Sequence, residues 1–194
     1  VIYSLSKDRE GGIWVGSYFG GINYYPHQYT PFRKYYQHSS DTPLSGNIVR
    51  EITKDKFDNL WVCIEDGGLN KLDVKNGKCT YYKPDGTKKG LSYIGVHSLL
   101  ANGNELWVGT FEHGLDIMDI KSGSVIRHYD VTSPNGFRSN FPFCFHKTTD
   151  GEIYLGSFPG IFSYNTQADY FSPLHGFPTD GNYKCIIKDH NGTI

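Results

Sequence analysis

Residues 8–23 read Asp-Arg-Glu-Gly-Gly-Ile-Trp-Val-Gly-Ser-Tyr-Phe-Gly-Gly-Ile-Asn, and variants of this stretch occur three more times in the 194 residues. Each copy has a turn rich in Asp, Asn or Gly, then an aliphatic, an aromatic and an aliphatic residue, and a short segment that leads to a Gly. A self-similar period of this length indicates supersecondary units that stack to bury a core. The aromatic anchors, which are 47, 46 and 47 positions apart, are Trp14, Trp61, Trp107 and Tyr154.

Each copy divides into four short segments rich in β-branched and aromatic residues, which we call strands a to d. Turns of Asx residues and Gly separate strands a and b, as in β-hairpins. Strand b carries the aromatic anchor, and strand c begins at a Gly. Strand a is predicted at 1–5, 48–53, 96–101 and 141–146, strand c from Gly21, Gly68, Gly114 and Gly160, strand d at 32–36, 79–83, 125–129 and 169–172, and a fifth strand a at 183–188.

A four-stranded antiparallel meander of about 45 residues, repeated in tandem, is typical of a β-propeller blade. We therefore predict an all-β fold: a β-propeller fragment with four four-stranded antiparallel blades plus one strand of a fifth. Each anchor should lie in mid-blade against the neighbouring blade, where an aromatic ring buries roughly 200 Å². The predicted parts of this one larger propeller are blades at 1–43, 44–90, 91–136 and 137–178, and the fifth-blade strand at 179–194.

Four blades and one strand do not close a ring of whole blades, because propellers use about 4 to 8 complete blades. Open blade faces are expected to pair with other protein surfaces. We therefore expect the remaining blades of the same protein, or a second copy of the chain in a homodimer, to cover them.

The composition excludes several classes of protein. The net charge is −1, with no dense Lys or Arg cluster, so nucleic acid is not an expected partner. No apolar run is long enough to span a bilayer, and membrane contact is expected only through a segment outside these residues. The four cysteines and eight histidines lack metal-ligand spacing, so we predict no metal, no cofactor and buried, inert thiols.

The motif at 8–23 resembles the two-component-regulator propeller repeat, and the lead-in Leu44-Ser45-Gly46-Asn47-Ile48 strengthens the likeness. This repeat builds the periplasmic sensor region of hybrid two-component sensor histidine kinases in Bacteroides-type bacteria. The resemblance covers nearly the whole chain. Departures occur at Cys63-Ile64, at the third a–b turn and at Tyr154, and they lead us to expect loops of unequal geometry.

The resemblance implies a non-catalytic, extracytoplasmic sensor of an inner-membrane receptor. In that family two seven-bladed propellers precede a β-sandwich, a membrane helix, a kinase and a DNA-binding regulator. It also implies an oligosaccharide ligand and control of glycan-utilisation genes. Because propellers host many functions, the ligand does not follow from the fold.

Strand reversal places the b–c and d–a loops on one face of the propeller, and loops on a rigid scaffold concentrate binding residues. Aromatic rings beside carboxylates suit a sugar, whose C–H face stacks while its hydroxyls form hydrogen bonds. Asn182 would approach the same face from the last lead-in. The candidate ligand-binding residues are Tyr18, Phe19, Asn47, Arg50, Glu65, Asp66, Phe111, Glu112, His113, Arg138, Asn140 and Phe158.

Other interpretations of these loops stay open. Their aromatics could cap the blade core, and Glu65-Asp66 could be a solvated turn. A glycosidase or lyase could use Glu65 and Glu112, since such enzymes hold two carboxyl groups about 5 to 9.5 Å apart. A third alternative is a propeller that docks another protein. The sequence alone does not separate this docking function from the sensor function, which rests on the family resemblance.

Overall fold

A computed structural model describes residues 1–27, 35–38, 43–189, 191 and 193. The chain forms two compact units, Val1–Lys34 and Tyr35–Ile194, which we describe separately. The described residues form strands and no α-helix. Among them, no helix has the length and apolarity that crossing a membrane requires.

The described part of the first unit is one antiparallel sheet. Its strands are β1 (Ile2–Lys7), β2 (Ile13–Ser17) and β3 (Gly21–Tyr25), in the order β1-β2-β3. Trp14 pairs with Tyr24 across the ladder, and their ring centroids are 4.4 Å apart. These strands match strands a, b and c of the first copy, while most of its predicted strand d at 32–36 lies outside the described residues.

The second unit holds three four-stranded antiparallel sheets, which we call blades 2, 3 and 4. Each has the simple order a-b-c-d, so strands a and d form the two edges. The strands are β4 (Val49–Lys54), β5 (Leu60–Ile64), β6 (Gly68–Asp73) and β7 (Lys78–Tyr82) in blade 2; β8 (Val96–Asn102), β9 (Glu105–Thr110), β10 (Leu115–Asp119) and β11 (Ser124–Tyr129) in blade 3; and β12 (Phe141–Lys147), β13 (Ile153–Phe158), β14 (Ile161–Asn165) and β15 (Tyr170–Pro173) in blade 4. The prediction of an all-β propeller fold is confirmed.

The anchors of the second unit pack between successive blades. Trp61 of blade 2 joins one core cluster with Leu99 and Leu106 of blade 3, and Trp107 of blade 3 joins another with Leu155 of blade 4. Both indoles are fully buried. The rings of Trp107 and Tyr164 pack nearly perpendicular to one another with centroids 4.7 Å apart, within the range in which aromatic pairs attract one another. These contacts hold the blades face to face.

A recurring backbone hydrogen bond also joins successive blades. The N–H of the Gly that precedes strand c donates to the lead-in of the next blade, from Gly68 to Ile94 O at 2.9 Å and from Gly114 to Asn140 O at 3.0 Å. Gly160 donates in the same way to Gly181 O at 2.9 Å. The segment after 181 therefore meets blade 4 as β12 meets blade 3.

The predicted fifth-blade strand at 183–188 occupies this position without pairing into a sheet ladder among the described residues. Ile186 is buried there against Tyr154 and Ile161 of blade 4. The Sγ of Cys144 lies 3.8 Å from Tyr183 O, just as Ser98 Oγ donates to Pro142 O at 2.8 Å one blade earlier. The repeat thus continues into these residues.

The prediction that all four thiols are buried is wrong. Cys63 is buried, Cys79 and Cys144 are half-buried, and Cys185 is exposed. Burial raises the pKa of the Cys144 thiol to about 11, so it stays protonated near neutral pH. Cys185 is exposed because its neighbour Ile186, rather than Cys185, turns onto blade 4.

Candidate functional site

Strand a of every copy contains one irregularity in its pairing with strand b. The register shifts between Ile2 and Ser4, between Val49 and Ile52, between Val96 and Ser98, and between Pro142 and Cys144. A β-bulge of this kind leaves one residue without a ladder partner and re-aims its side chain. The residues at this repeat position, which we call the bulge residues, are Tyr3, Arg50, His97 and Phe143.

The b–c turns of the first three copies share one backbone shape. Phe19, Asp66 and Glu112 have φ values of 60, 56 and 64°, and the Gly two residues later is also left-handed. The expectation of unequal loop geometry is therefore wrong for these b–c turns, where side chains vary on a constant turn, whereas the third a–b turn is shorter than that of blade 2. In the fourth copy, which is one residue shorter, Pro159 follows Phe158 through a cis peptide bond.

Each bulge residue of the first three copies contacts the first residue of the b–c turn in its own blade. Tyr3 and Tyr18 have ring centroids 5.5 Å apart in the first unit. In the second unit Arg50 pairs with Glu65, and the His97 ring lies 5.0 Å from Phe111. The fold thus brings together two positions that are free to vary in the repeat.

In the second unit these pairs line two adjoining cavities that share Arg50, His97 and Phe111 as a common wall. The first, which we call the Glu65 pocket, has a volume of about 330 Å³. The second, the Lys184 pocket, has a volume of about 390 Å³. Besides the shared wall, the Glu65 pocket is lined by Glu65, Asp66, Tyr93 and Gly95, and the Lys184 pocket by Phe143, Asn182 and Lys184.

Charged groups set the electrostatics of the shared wall. Arg50 Nη2 lies 2.6 Å from Glu65 Oε2, and the hydrogen bond and charge of Arg50 lower the pKa of Glu65. Burial and the positive charge of Arg50 lower the pKa of His97, and the negative charges of Glu65 and Asp66 offset only part of this effect. His97 is therefore a neutral imidazole near pH 7, a group that can donate or accept a hydrogen bond.

Aromatic rings continue along both pockets. Tyr93 stacks on His113 with centroids 4.2 Å apart and planes nearly parallel, at 5°. The ring centroids of Phe111 and Phe141 are 5.5 Å apart, and those of Phe141 and Phe158 are 6.4 Å apart. Aromatic rings therefore lie beside the charged groups of the shared wall in the second unit.

The structure brings four of the predicted candidates directly into the two pockets: Arg50, Glu65, Asp66 and Phe111. Asn182, placed on this face from the sequence, lines the Lys184 pocket. His113 and Phe158 line neither pocket, but their rings contact Tyr93 and Phe141, respectively. Tyr18 and Phe19 belong to the first unit, where their rings are 4.3 Å apart.

The other predicted candidates stabilise loops. Asn47 Oδ1 accepts the N–H of Gln37 at 2.9 Å, and Asn140 Oδ1 accepts that of Val131 at 3.2 Å. Arg138 Nη1 donates to the carbonyl groups of Ser133 and Phe137, at 2.8 and 2.7 Å. Glu112 is an exposed turn residue that does not line either pocket.

Sequence reasoning missed His97, Tyr93, Phe143 and Lys184. A signal for two of them was present, because Tyr3, Arg50, His97 and Phe143 recur at intervals of 47, 47 and 46 residues. The sequence does not show that this position is a bulge. Only the pairing register reveals the direction of its side chains.

A larger cavity of about 500 Å³ lies beside β10 and β11, lined in part by Asp116 and His128. Its buried carboxylate is already occupied, since Asp116 accepts from His128 Nδ1 at 2.7 Å and from the backbone N–H of Ser92 at 2.8 Å. This arrangement ties the lead-in of blade 3 to its sheet. Among the residues that the structure describes, no cluster of His, Cys, Asp or Glu could hold a metal ion.

Comparisons with known proteins agree with the fold and with the repeat. Residues 1–19 match the family model described as two component regulator propeller. The chain is 27% identical over 157 residues to histidine kinase P4 of Formosa agariphila, an alignment that covers 80% of this chain and 11% of that protein.

Two solved structures from B. thetaiotaomicron are similar along almost the whole chain. One is the extracellular domain of a putative hybrid two component system, with a TM-score of 0.67 and 23% identity over 98% of this chain and 27% of that one. A second such domain gives a TM-score of 0.66 and 21% identity over 98% of this chain and 26% of that one.

The chain therefore spans 11% of the curated relative and about a quarter of each solved domain. The WD40 propeller domain of Doa1 is more distant, with a TM-score of 0.56 and 14% identity, and supports the fold alone. The resemblance found in the sequence is confirmed by the family-model match at residues 1–19, and the solved structures share the fold of the chain.

Proposed function

We propose that this chain is part of the extracytoplasmic sensor propeller of a hybrid two-component receptor, and that the receptor responds to an oligosaccharide. The bulge residues and b–c turns carry the proposal. In the second unit they form a polar and aromatic surface on a repeat whose relatives include a histidine kinase and extracellular domains of two component systems. Regulation of glycan-utilisation genes would be the output.

The chemistry of the two pockets suits a sugar. Phe111 stands between them and offers a ring face to the C–H face of a pyranose. On one side Glu65 and Asp66 accept hydrogen bonds from hydroxyl groups, and on the other Asn182 offers an amide. Binding sites of this kind combine apolar surface with a few placed polar groups.

The surface is proposed to bind rather than to catalyse. A general acid for glycoside cleavage needs a raised pKa, so that it holds a proton near neutral pH. Arg50 has the opposite effect on Glu65, since its hydrogen bond and charge lower that pKa. Glu65 is therefore suited to accept hydrogen bonds as a carboxylate.

Signalling would follow from differential affinity. A ligand shifts the receptor between two arrangements only by as much as it binds one of them better. We propose that the receptor is a homodimer anchored in the inner membrane outside these residues, with the propeller in the periplasm. Light scattering of the complete protein tests the dimer, and a monomer at micromolar concentration would contradict it.

The central test measures oligosaccharide binding and autophosphorylation of the complete protein. We expect an oligosaccharide to change kinase activity and Phe111→Ala to weaken its binding at least tenfold, which corresponds to about 1.4 kcal/mol. Phe57→Ala is the matched control, because Phe57 is an exposed aromatic on an a–b turn. Failure of every oligosaccharide to bind, or equal effects of the two variants, would contradict the proposal.

A further inference from the structure

We propose that the Lys184 pocket binds the acidic group of the ligand, so that the oligosaccharide recognised here is an acidic one that carries a carboxylate or a sulfate. This inference rests on the proposed function and narrows the class of sugar. It assigns opposite roles to the two pockets: the Glu65 pocket takes neutral hydroxyl groups, and the Lys184 pocket takes the anion.

The first observation is the charge of the pocket wall. Arg50 and Lys184 both line the Lys184 pocket, together with His97, Asn182 and two phenylalanines, and no carboxylate is among the lining residues. Glu65 and Asp66 line only the adjoining pocket. A cavity whose polar groups are cations, an imidazole and an amide is complementary to an anion.

The second observation concerns the donors that remain on Arg50. Its guanidinium carries five N–H donors, and Glu65 engages Nη2. The other edge can still bind a carboxylate or a sulfate, which arginine recognises through paired hydrogen bonds. The ion pair with Glu65 restricts the side chain before any ligand arrives.

The third observation concerns Lys184. Among the described residues, no carboxylate lies within salt-bridge distance of its Nζ, which is 5.9 Å from the ring centroid of Phe143. Cation–π contacts at this distance are weak where solvent reaches them. The ammonium group can therefore exchange the ring for an anion at little cost.

The rings decide between a bare anion and an acidic sugar. A simple ion would need only the cations, whereas Phe111 and Phe143 add two aromatic side chains to the same wall. A uronic acid or a sulfated sugar presents a C–H face and an anion on one ring. Its neighbouring sugar would reach the Glu65 pocket past Phe111, because the two pockets share that residue.

The test is an immobilised panel of tetrasaccharides probed with the complete protein. It holds neutral members, uronic acid members such as tetragalacturonate, and sulfated members such as carrageenan tetrasaccharides. We expect the tightest binders to be acidic and their binding to weaken with added NaCl, which screens charges. The uronate and sulfate arms identify which anion the pocket takes.

Substitutions in the pocket wall test whether the anionic group of the ligand binds in the Lys184 pocket. Lys184→Gln and Arg50→Gln should each weaken binding of the acidic ligand at least tenfold and reduce its advantage over a neutral tetrasaccharide. Lys78→Gln, an exposed lysine on β7, is the matched control and should bind like the unaltered protein. Thermal unfolding of each variant verifies that the fold is intact.

The contradicting outcomes are distinct. If neutral tetrasaccharides bind as tightly as acidic ones, the sensor proposal stands and this inference fails. If acidic ligands bind but Lys184→Gln and Arg50→Gln leave their affinity unchanged, the anion lies elsewhere and the inference fails. If no tetrasaccharide binds, both proposals fail.

Discussion

Trp61 donates its indole N–H to Asp55 Oδ2 across 2.8 Å, while Oδ1 of the same carboxylate accepts the backbone N–H groups of Phe57 and Asn59. Asp55 is only 2% exposed. One carboxylate thus closes the a–b turn and fixes the ring that packs against the next blade. The aromatic anchor and its Asp turn act as a single unit.

Replacing Asp55 with Ala should lower the free energy of unfolding by about 2 kcal/mol or more, because a buried indole N–H and two turn amides lose their acceptor. Urea unfolding followed by tryptophan fluorescence measures this. Asp150→Ala is the control, since Asp150 is exposed and Tyr154 donates instead to Glu152 Oε2 at 2.7 Å. Equal losses in the two variants would show that the turn carboxylate has no special role.

The glycine before strand c should tolerate no side chain. Gly114 has φ of +79°, and a Cβ there would overlap the carbonyl oxygen of Tyr129. Gly103 is also left-handed, at +63°, but has open space around it. We expect Gly103→Ala to cost about 1 kcal/mol and Gly114→Ala about 3 kcal/mol, since only the second adds a clash. Chemical denaturation of both variants measures the difference, and similar costs would contradict the close approach.

Two histidines should give stability opposite dependences on pH. The hydrogen bond that His128 donates to the Asp116 carboxylate raises the pKa of His128 despite its partial burial. Its stabilisation is therefore fully present below the unfolded pKa of about 6.5 and is lost as pH rises through the folded value. Burial lowers the pKa of His97, so its contribution becomes unfavourable as pH falls below about 6.5.

Urea unfolding at several pH values tests these signs. The unaltered protein should lose stability through His128 as the pH rises above about 6.5, and His128→Gln should abolish this loss. The unaltered protein should also lose stability through His97 as the pH falls below about 6.5, and His97→Gln should abolish that loss. The two variants are controls for one another. Slopes of the same sign in both would contradict the assigned environments.

The charge of Arg50 should be visible at His97. Arg50→Gln should raise the pKa of His97, because it removes a positive charge, whereas Glu65→Gln should lower it further. NMR titration of the His97 ring resonances measures both shifts. If neither variant moves the pKa of His97, the shared wall does not couple these groups.

The period of the aromatic anchors was sufficient to predict the architecture. Trp61 and Trp107 recur in equivalent settings, and burial of large rings between stacked units is a consequence of composition and spacing. Strand boundaries followed because Asx and Gly turns separate the segments: Gly68 begins β6 as expected, and Gly114 lies one residue before β10.

The candidate site was predicted only in part. Glu65 and Phe111 were identified because the b–c turns differ among copies, while Asn47 and Asn140 proved to hold loop backbone. The sequence gives no sign of whether a polar side chain in a loop points to solvent or returns to its own main chain. Both uses favour the same short Asx residues.

The sequence by itself determined that this protein is built of stacked four-stranded blades, because local turn chemistry and the burial of regularly spaced rings depend on neighbours along the chain. Only the tertiary structure decided that Arg50, His97 and Lys184 share a wall. These residues lie 47 to 134 residues apart along the chain. Their meeting depends on register shifts and on contact between blades. A bulge is a property of two paired strands, so its direction exists only once the sheet has formed.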